Sequence, residues 1–593
     1  MSGPVTVPHG RRGARSVRHL VALLAVAAVS ACAVIPSSGP VTRVADDDGL
    51  GQSAVRYTPA RPLPGASPDQ IVRGYLDAML AFPVSSRTAS AFLTPAAAET
   101  WSASEQVHVY SAPEVSLVQE EGNRGDLRNL PGGPVSVRLG FTEDALLDRQ
   151  GRYTRRTGPA AMSYSLQQVG GEWRIANPQA GILVDRKFFT DYFRPFNLYF
   201  FDRPGRRLVP EPVHIVSGDQ LATTLVASLT GGPSQEAGEA TRTYVPSRRS
   251  LRPSVTISDE GVADVEFTQD FGDLSQTARD HLSAQVVWTL RQVPGVEAVQ
   301  IVGGSTALTA GGDEIQPVQA WGGYGPSTAR GRAYAVIDDA VVEIDDGVPR
   351  PINGAWGEDA RGVRSVAVSE AGVAGVLPGS NEVRLTSRDG SAPRTITGDG
   401  FIGPDWDSDG VLWLVDRLAG RTRVQIVDGG EERVIDAGRL ANLQVSNFTV
   451  SPDGARFAVT GRGADAGRLF VGRVLRDEDD RLLGLDDPRQ VFTTAQAPRS
   501  ASWSSTTELA FLADSQAGVQ VYQAAIDGSD TTGEVARSGA LLPDVEAQTL
   551  ATGVGTSPAL YVTDRQQRLW FLGADGTWRL VDSAAVTGLT FGR

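Results

Sequence analysis

A chain with one cysteine and one lysine among 593 residues is short of the side chains that much covalent and metal chemistry uses. Cys32 alone forms no intramolecular disulfide and no cysteine metal cluster, so the folded parts must be held by burial. Lys187 confines lysine chemistry to a single position. Only five histidines occur, at 9, 19, 108, 214 and 281, and the first two precede any folded segment. No phosphate-binding Gly-rich loop, CxxC, Gly-x-Ser-x-Gly or His-Glu-x-x-His is present. No apolar run is long enough for a membrane span: Leu20 to Val29 offers about ten residues against the roughly twenty a helix needs. Positive charge is also in deficit. A net charge of −14 gets no electrostatic help from nucleic-acid phosphates, so nucleic-acid binding is not expected. What is abundant is arginine, alanine and glycine, the bias of a genome rich in G and C. A hydrophobic share of 41% suffices for packed cores, and the length suits about three or four domains.

The one cysteine has a telling position. Arg11, Arg12, Arg15 and Arg18 precede the apolar run, which ends in Val29-Ser30-Ala31-Cys32. A basic start, a short apolar core and small residues at the cut form a secretory signal. Val-Ser-Ala-Cys resembles the lipobox of bacterial lipoproteins. That resemblance implies a signal peptide over 1–31, cleavage after Ala31, and S-diacylglycerol and N-acyl groups on Cys32. The Arg11-Arg12 pair hints at twin-arginine export, but its neighbours do not resemble that consensus, and the general route is favoured. Removal of 1–31 takes four arginines and moves the net charge from −14 to −18. Residues 32–64, with Pro36-Ser37-Ser38-Gly39-Pro40 and Asp46-Asp47-Asp48, read as a disordered tether.

Order is expected from Ser67-Pro68-Asp69-Gln70, a capping-box helix start. Ile71, Val72, Tyr75, Leu76, Met79 and Leu80 follow at helical spacing. A second short helix is predicted over 89–101, then strands over 107–110, 115–118, 135–141 and 162–169, closed by Trp173-Arg174-Ile175. This α+β order over 65–185 is similar to the cone-shaped nuclear-transport-factor-like fold. Next come the strand Leu198-Tyr199-Phe200-Phe201-Asp202, a helix stopped by Gly231-Gly232-Pro233, and a helix through 281–290 leading to Pro294-Gly295-Val296. Over 196–305 the chain resembles the α/β GerMN domain. From 318 to 593 short strands run into Ser/Asp/Gly turns such as Asp407-Ser408-Asp409-Gly410 and Ser451-Pro452-Asp453-Gly454. Their spacing of roughly forty to fifty residues predicts an all-β propeller of about six blades.

Three such modules behind a lipobox resemble the actinobacterial LpqB lipoprotein family. The resemblance implies a non-enzymatic accessory of the MtrA–MtrB two-component system, touching the extracellular part of the sensor histidine kinase MtrB, on the outer face of the cell membrane, in cell-wall homeostasis and division. Two other readings stand beside it. One is a cell-wall glycan-binding protein or hydrolase using the propeller or cone cleft, with Trp406, Trp413, Trp503 and Trp570 stacking on sugars. The other is an envelope chaperone or assembly scaffold. The tryptophans are expected in the core.

Two segments invite a chemical reading. Asp405, Asp407, Asp409, Gly410 and Asp416 satisfy the spacing of a calcium loop, although Asp stands where Glu usually closes it. The alignment of this stretch with the other blade turns favours a plain hairpin turn, so no metal and no cofactor are expected. The run Arg476-Asp477-Glu478-Asp479-Asp480-Arg481, continuing to Asp486-Asp487-Pro488, reads as a solvated surface insertion, with a partner-contact loop as the alternative. No catalytic residue is assigned.

Overall fold

Helix Pro68–Met79 starts where the capping box places it: Ser67 N–H donates to Gln70 Oε1 at 3.0 Å, and Ile71, Val72, Tyr75, Ala78 and Met79 are buried. The computed structural model describes Gly3 and residues 58–81, 86–111, 116–119, 135–246, 253–304, 306–326, 331–493, 498–515, 518–529, 542, 545–555, 559–573, 575–582 and 585–593. Those from 58 onward lie in one compact unit. Among the described residues no helix is long and apolar enough to cross a membrane.

The second helix expected over 89–101 is two. Ser86–Ser90 ends, Leu93 bridges to Ile175, and Pro95–Thr100 begins anew with Thr94 as its cap. Proline has no N–H to continue the first helix but suits the first turn of the second. A six-stranded sheet follows, in the order Glu172–Ile175, Tyr153–Val169, Val135–Leu147, Val107–Tyr110, Ile182–Asp185, with Ser116–Gln119 on the third of these. Two strands run well past the apolar stretches at 135–141 and 162–169, to 13 and 17 residues. The first extension opens on Thr142-Glu143-Asp144 and the second carries Arg155 and Arg156 exposed, so alternation does not mark them.

Helix Arg186–Tyr192, capped by Asp185, leads straight into Phe193–Asp202. That strand pairs with Leu208–Val216 and Thr241–Arg242. A second sheet carries Val262–Phe267 and Ala298–Gly303 in parallel, joined through helix Gln276–Leu290. Leu198, Phe200, Val265, Leu282, Val286 and Ile301 are packed in the core between the elements. The fully buried Gln285 amide ties them together, donating to Tyr199 O at 2.9 Å and accepting from Tyr244 N–H at 2.6 Å.

Six antiparallel sheets fill 333–591. The first joins Val348–Pro351, Ala340–Asp345 and Ala333–Ile337 to Thr587–Phe591 from the far end of the chain. The second runs over 365–397, the third over 403–434 and the fourth over 445–493. The fifth, over 501–525, has three described strands, and the sixth covers 547–582. Six apolar cores lie one at each junction between neighbouring sheets, the first and sixth included, so the sheets close a ring. Tryptophans staple neighbours: Trp406 Nε1–H donates to Ala367 O at 3.3 Å and Trp503 Nε1–H to Thr449 O at 3.4 Å. Arg593 lies inside the ring, its N–H on Val368 O and its guanidinium on Val450 O.

Candidate functional site

Cys32 and Ala31, the proposed lipid-bearing and cleavage residues, lie outside the described residues. The other sequence-flagged segments gather where the middle domain meets the propeller.

The carboxylates of the 405–416 spacing diverge. Asp405 belongs to the strand Gly403–Trp406 and accepts from Thr449 Oγ1 at 2.9 Å and Val450 N–H at 2.8 Å in the next sheet. Asp407 holds its own turn, accepting from Asp409 N–H at 2.9 Å and Val411 N–H at 3.0 Å. Its other oxygen takes Trp413 Nε1–H and Arg476 Nη2–H, each at 3.1 Å. Asp409 pairs with Arg207, and Asp416, fully buried on a strand, pairs with Arg423. The arrangement is a hairpin whose four acids turn to separate groups, Asp407 and Asp409 sharing only Arg476. Among the described residues no cluster of three or more His, Cys, Asp or Glu is arranged to hold a metal.

The 476–481 run is solvated at Glu478, Asp479 and Arg481, as its charge suggested, but two of its residues are tied down. Arg476 packs, largely covered, against Asp407 and Asp409, and Asp480 pairs with Arg206 of the middle domain. The partner that this loop meets is the chain's own domain. Charge alone suggested exposure, and nothing local in the sequence announced an arginine some 270 residues upstream.

Arg206 and Arg207 are presented by a turn between two strands of the middle domain, whose backbone N–H groups Asp202 accepts at 2.7 and 3.1 Å. Burial pushes the Asp407 carboxyl above its ordinary range, with Arg476 pulling the other way. Burial opposes ionisation of Asp409 too, yet the bonded Arg207 guanidinium leaves that carboxyl below the ordinary range. Arg456 reaches from the fourth sheet to Pro210 O, and burial lowers its guanidinium to about 10.

The three remaining histidines are dispersed. His108 bonds Glu143 at 2.5 Å within the N-terminal six-stranded sheet. His281 is buried against Phe201 and Tyr244, both at 4.4 Å between ring centres, and burial lowers its pKa. His214 is the one that bridges domains: its Nε2 lies 3.0 Å from Asp527 Oδ2 of the propeller, both side chains under a tenth exposed. Tyr153 and Phe189 of the first domain flank the imidazole at 5.7 and 5.3 Å. Burial opposes the charge on Asp527, but its bond to His214 holds the carboxyl below the ordinary range. His214 N–H also donates to Gly151 O at 2.7 Å. A Cβ at Gly151 would stand 2.7 Å from His214 O, so this crossing requires glycine. Arg152 completes the contact on Glu211 at 3.1 Å and on Gly232 O.

Between these contacts the three domains line a polar cleft of about 630 Å³, walled by Asp148, residues 152–154, 211–212 and 234–236 and Glu239, and by Arg456, Arg473, Asp486 and Arg489 of the propeller. Sequence reading missed every one of its arginines. The tryptophans proposed for sugar stacking do not face it: Trp406, Trp413 and Trp503 are buried in the ring, and Trp570 donates to Asp564 at 3.0 Å.

Three family models match the chain in order: Lipoprotein LpqB, N-terminal domain, over 61–190; Sporulation and spore germination over 197–307; and Lipoprotein LpqB beta-propeller domain over 339–589. Lipoprotein LpqB of Thermobifida fusca (strain YX) is 28% identical, across 93% of this chain and 96% of that protein. Its counterpart in Streptomyces coelicolor is 26% identical, across 88% and 89%. Among solved structures, the first GerMN domain of the sporulation protein GerM from Bacillus subtilis is 22% identical, with a TM-score of 0.18 over 21% of this chain and 95% of that one. With an LpqB model at each end, a germination-type domain between them and relatives matched nearly end to end, the chain belongs to the LpqB lipoprotein family.

Proposed function

We propose that this chain is a membrane-anchored accessory lipoprotein of the outer face of the cell membrane. It binds the ectodomain of a sensor histidine kinase similar to MtrB and modulates a pathway of cell-wall homeostasis and division. The observation that carries this reading is the docking of the middle domain on the propeller through largely buried pairs, Arg207–Asp409 and His214–Asp527. Modules joined this way present one continuous surface, as a protein that acts by contact needs. The relatives' printed name, lipoprotein, and the Val-Ser-Ala-Cys cut site support anchoring at Cys32. A lipid anchor confines both partners to the membrane plane and raises their effective concentration, so a weak contact is well occupied.

Cys32→Ala should release the chain from membranes or leave it unprocessed. A form lacking residues 1–32 should bind the purified ectodomain modestly and fail to replace the anchored form in cells. Membrane retention of a normally cleaved Cys32→Ala chain refutes the anchor. Cleavage of wall glycan or peptide by the purified chain, abolished with the phenotype by changes in one cleft, replaces this reading with an enzyme.

A further inference from the structure

Arg456 and Arg473 stand directly opposite each other on neighbouring strands of the fourth sheet, and Arg489 lies opposite Val471, two residues along, on the next strand. All three line the junction cleft. Like charges facing each other across a ladder destabilise a sheet, so such a row needs compensation. The protein's own acids give little. Arg473 is 3.5 Å from Asp486 and 3.8 Å from Glu236, both beyond good hydrogen-bond length. Arg489 shares Glu236, whose side chain is more than half exposed. Arg456 is 5% exposed, yet its Nη1 has no hydrogen-bond partner and stands 3.8 Å from Asp453 Oδ2, which is also unpartnered. Leaving a buried charged donor unsatisfied is expensive. Two further acids of the lining are already engaged: Glu211 by Arg152 and Asp527 by His214.

We infer that the cleft is a small-molecule site in which the Arg456–Arg473–Arg489 row receives an oxyanion, a carboxylate or phosphoryl group, on a ligand whose remainder is neutral or cationic. Guanidinium groups offer paired donors that match either oxyanion. The volume is that of an ordinary ligand pocket, and domain junctions are where such pockets commonly form. Glu236, Glu239 and Asp487 around the row disfavour polyanions and would accept an amine.

The test is a titration of the full chain in detergent at low ionic strength, once with inorganic phosphate and once with the zwitterionic dipeptide alanyl-alanine, read by calorimetry and by the thermal midpoint. A saturable rise in midpoint with either probe is expected, since a ligand of the folded state alone must stabilise it. Phosphate binding alone assigns the phosphoryl class, and dipeptide binding assigns the carboxylate class. Arg473→Gln should weaken binding about tenfold or more while leaving the unliganded midpoint equal or higher, because it relieves repulsion. Arg489→Gln, at a partly exposed side chain, should also weaken binding with the midpoint unchanged. No saturable effect of either probe, or undiminished binding in both variants, overturns the site.

Discussion

The 369–372 turn of the second sheet and the 407–410 turn of the third are built alike and used differently. In each, the first residue's side chain accepts the backbone N–H two positions on, from Ala371 at 3.1 Å and from Asp409 at 2.9 Å. That local bond is what Ser and Asp supply in turns. The third position separates them. Ala371 is an exposed methyl group with no charge to offer, whereas Asp409 carries Arg207 of the middle domain. The 451–454 turn of the fourth sheet keeps the backbone bond, Gly454 N–H to Ser451 O at 2.9 Å, and offers Asp453 O to the same arginine, but its Ser451 hydroxyl donates to Asp453 and accepts from Arg456 N–H. The turn's shape thus depends on its first residue, while the third is free to make a repeat into an interface. Docking in this molecule is an addition to the repeat that costs the repeat nothing.

The largest effect should come from Asp407→Ala. It strips acceptors from two backbone N–H groups and Trp413 and leaves Arg476 buried without its carboxylate. A loss of about 3–5 kcal/mol is expected, read as a lower urea midpoint for the propeller. Ser369→Ala, the matching change in the second sheet, should cost about 1 kcal/mol. Equal losses would break the comparison. Arg207→Ala should remove about 2 kcal/mol from docking alone. Faster hydrogen exchange around 202–210 with an unchanged propeller midpoint would sharpen the point, and a falling propeller midpoint would contradict it.

Acid should have a smaller effect. Asp527 is held below the ordinary carboxylate range by His214, so its contribution is present above the unfolded value of about 4 and is lost as pH falls through the folded one. Docking should therefore loosen only in acid, and Asp527→Asn should flatten that dependence in hydrogen exchange at 208–216. Calcium should do least. With its acids already bonded to arginines and backbone, the third-sheet turn should melt at the same midpoint in calcium as in chelator.

Local chemistry was legible in the sequence. Ser67 and Gln70 announce a helix, Gly231-Gly232-Pro233 stops another, and the Ser/Asp/Gly turns mark the sheets, because each depends on residues within a few positions. The 153–169 strand was under-read because both faces of its first half are exposed, with Arg155 and Arg156 adjacent there, so no apolar alternation marks it. The junction was not legible for a different reason. His214 and Asp527 are 313 residues apart, and neither stands in a motif. Arg456, Arg473 and Arg489 fall into a row only when three strands are in register. The 405–416 spacing suits a calcium loop as well as the favoured hairpin turn; Asp405 and Asp416 lie on two strands and Asp407 and Asp409 in the turn between them, an arrangement that spacing alone does not distinguish.

The pairing of Thr587–Phe591 with Ala333–Ile337 also sets a timetable. The proposed signal at 1–31 would deliver the chain across the membrane leading end first, so the ring's first strands would arrive long before the strand that completes their sheet. Until residue 591 is across, Ala333–Ile337 presents a bare, apolar edge of the kind that recruits other strands. The nascent chain is therefore most exposed to mispairing late in translocation. A chain cut short by its final few residues would keep nearly all of its sequence and still carry that edge permanently.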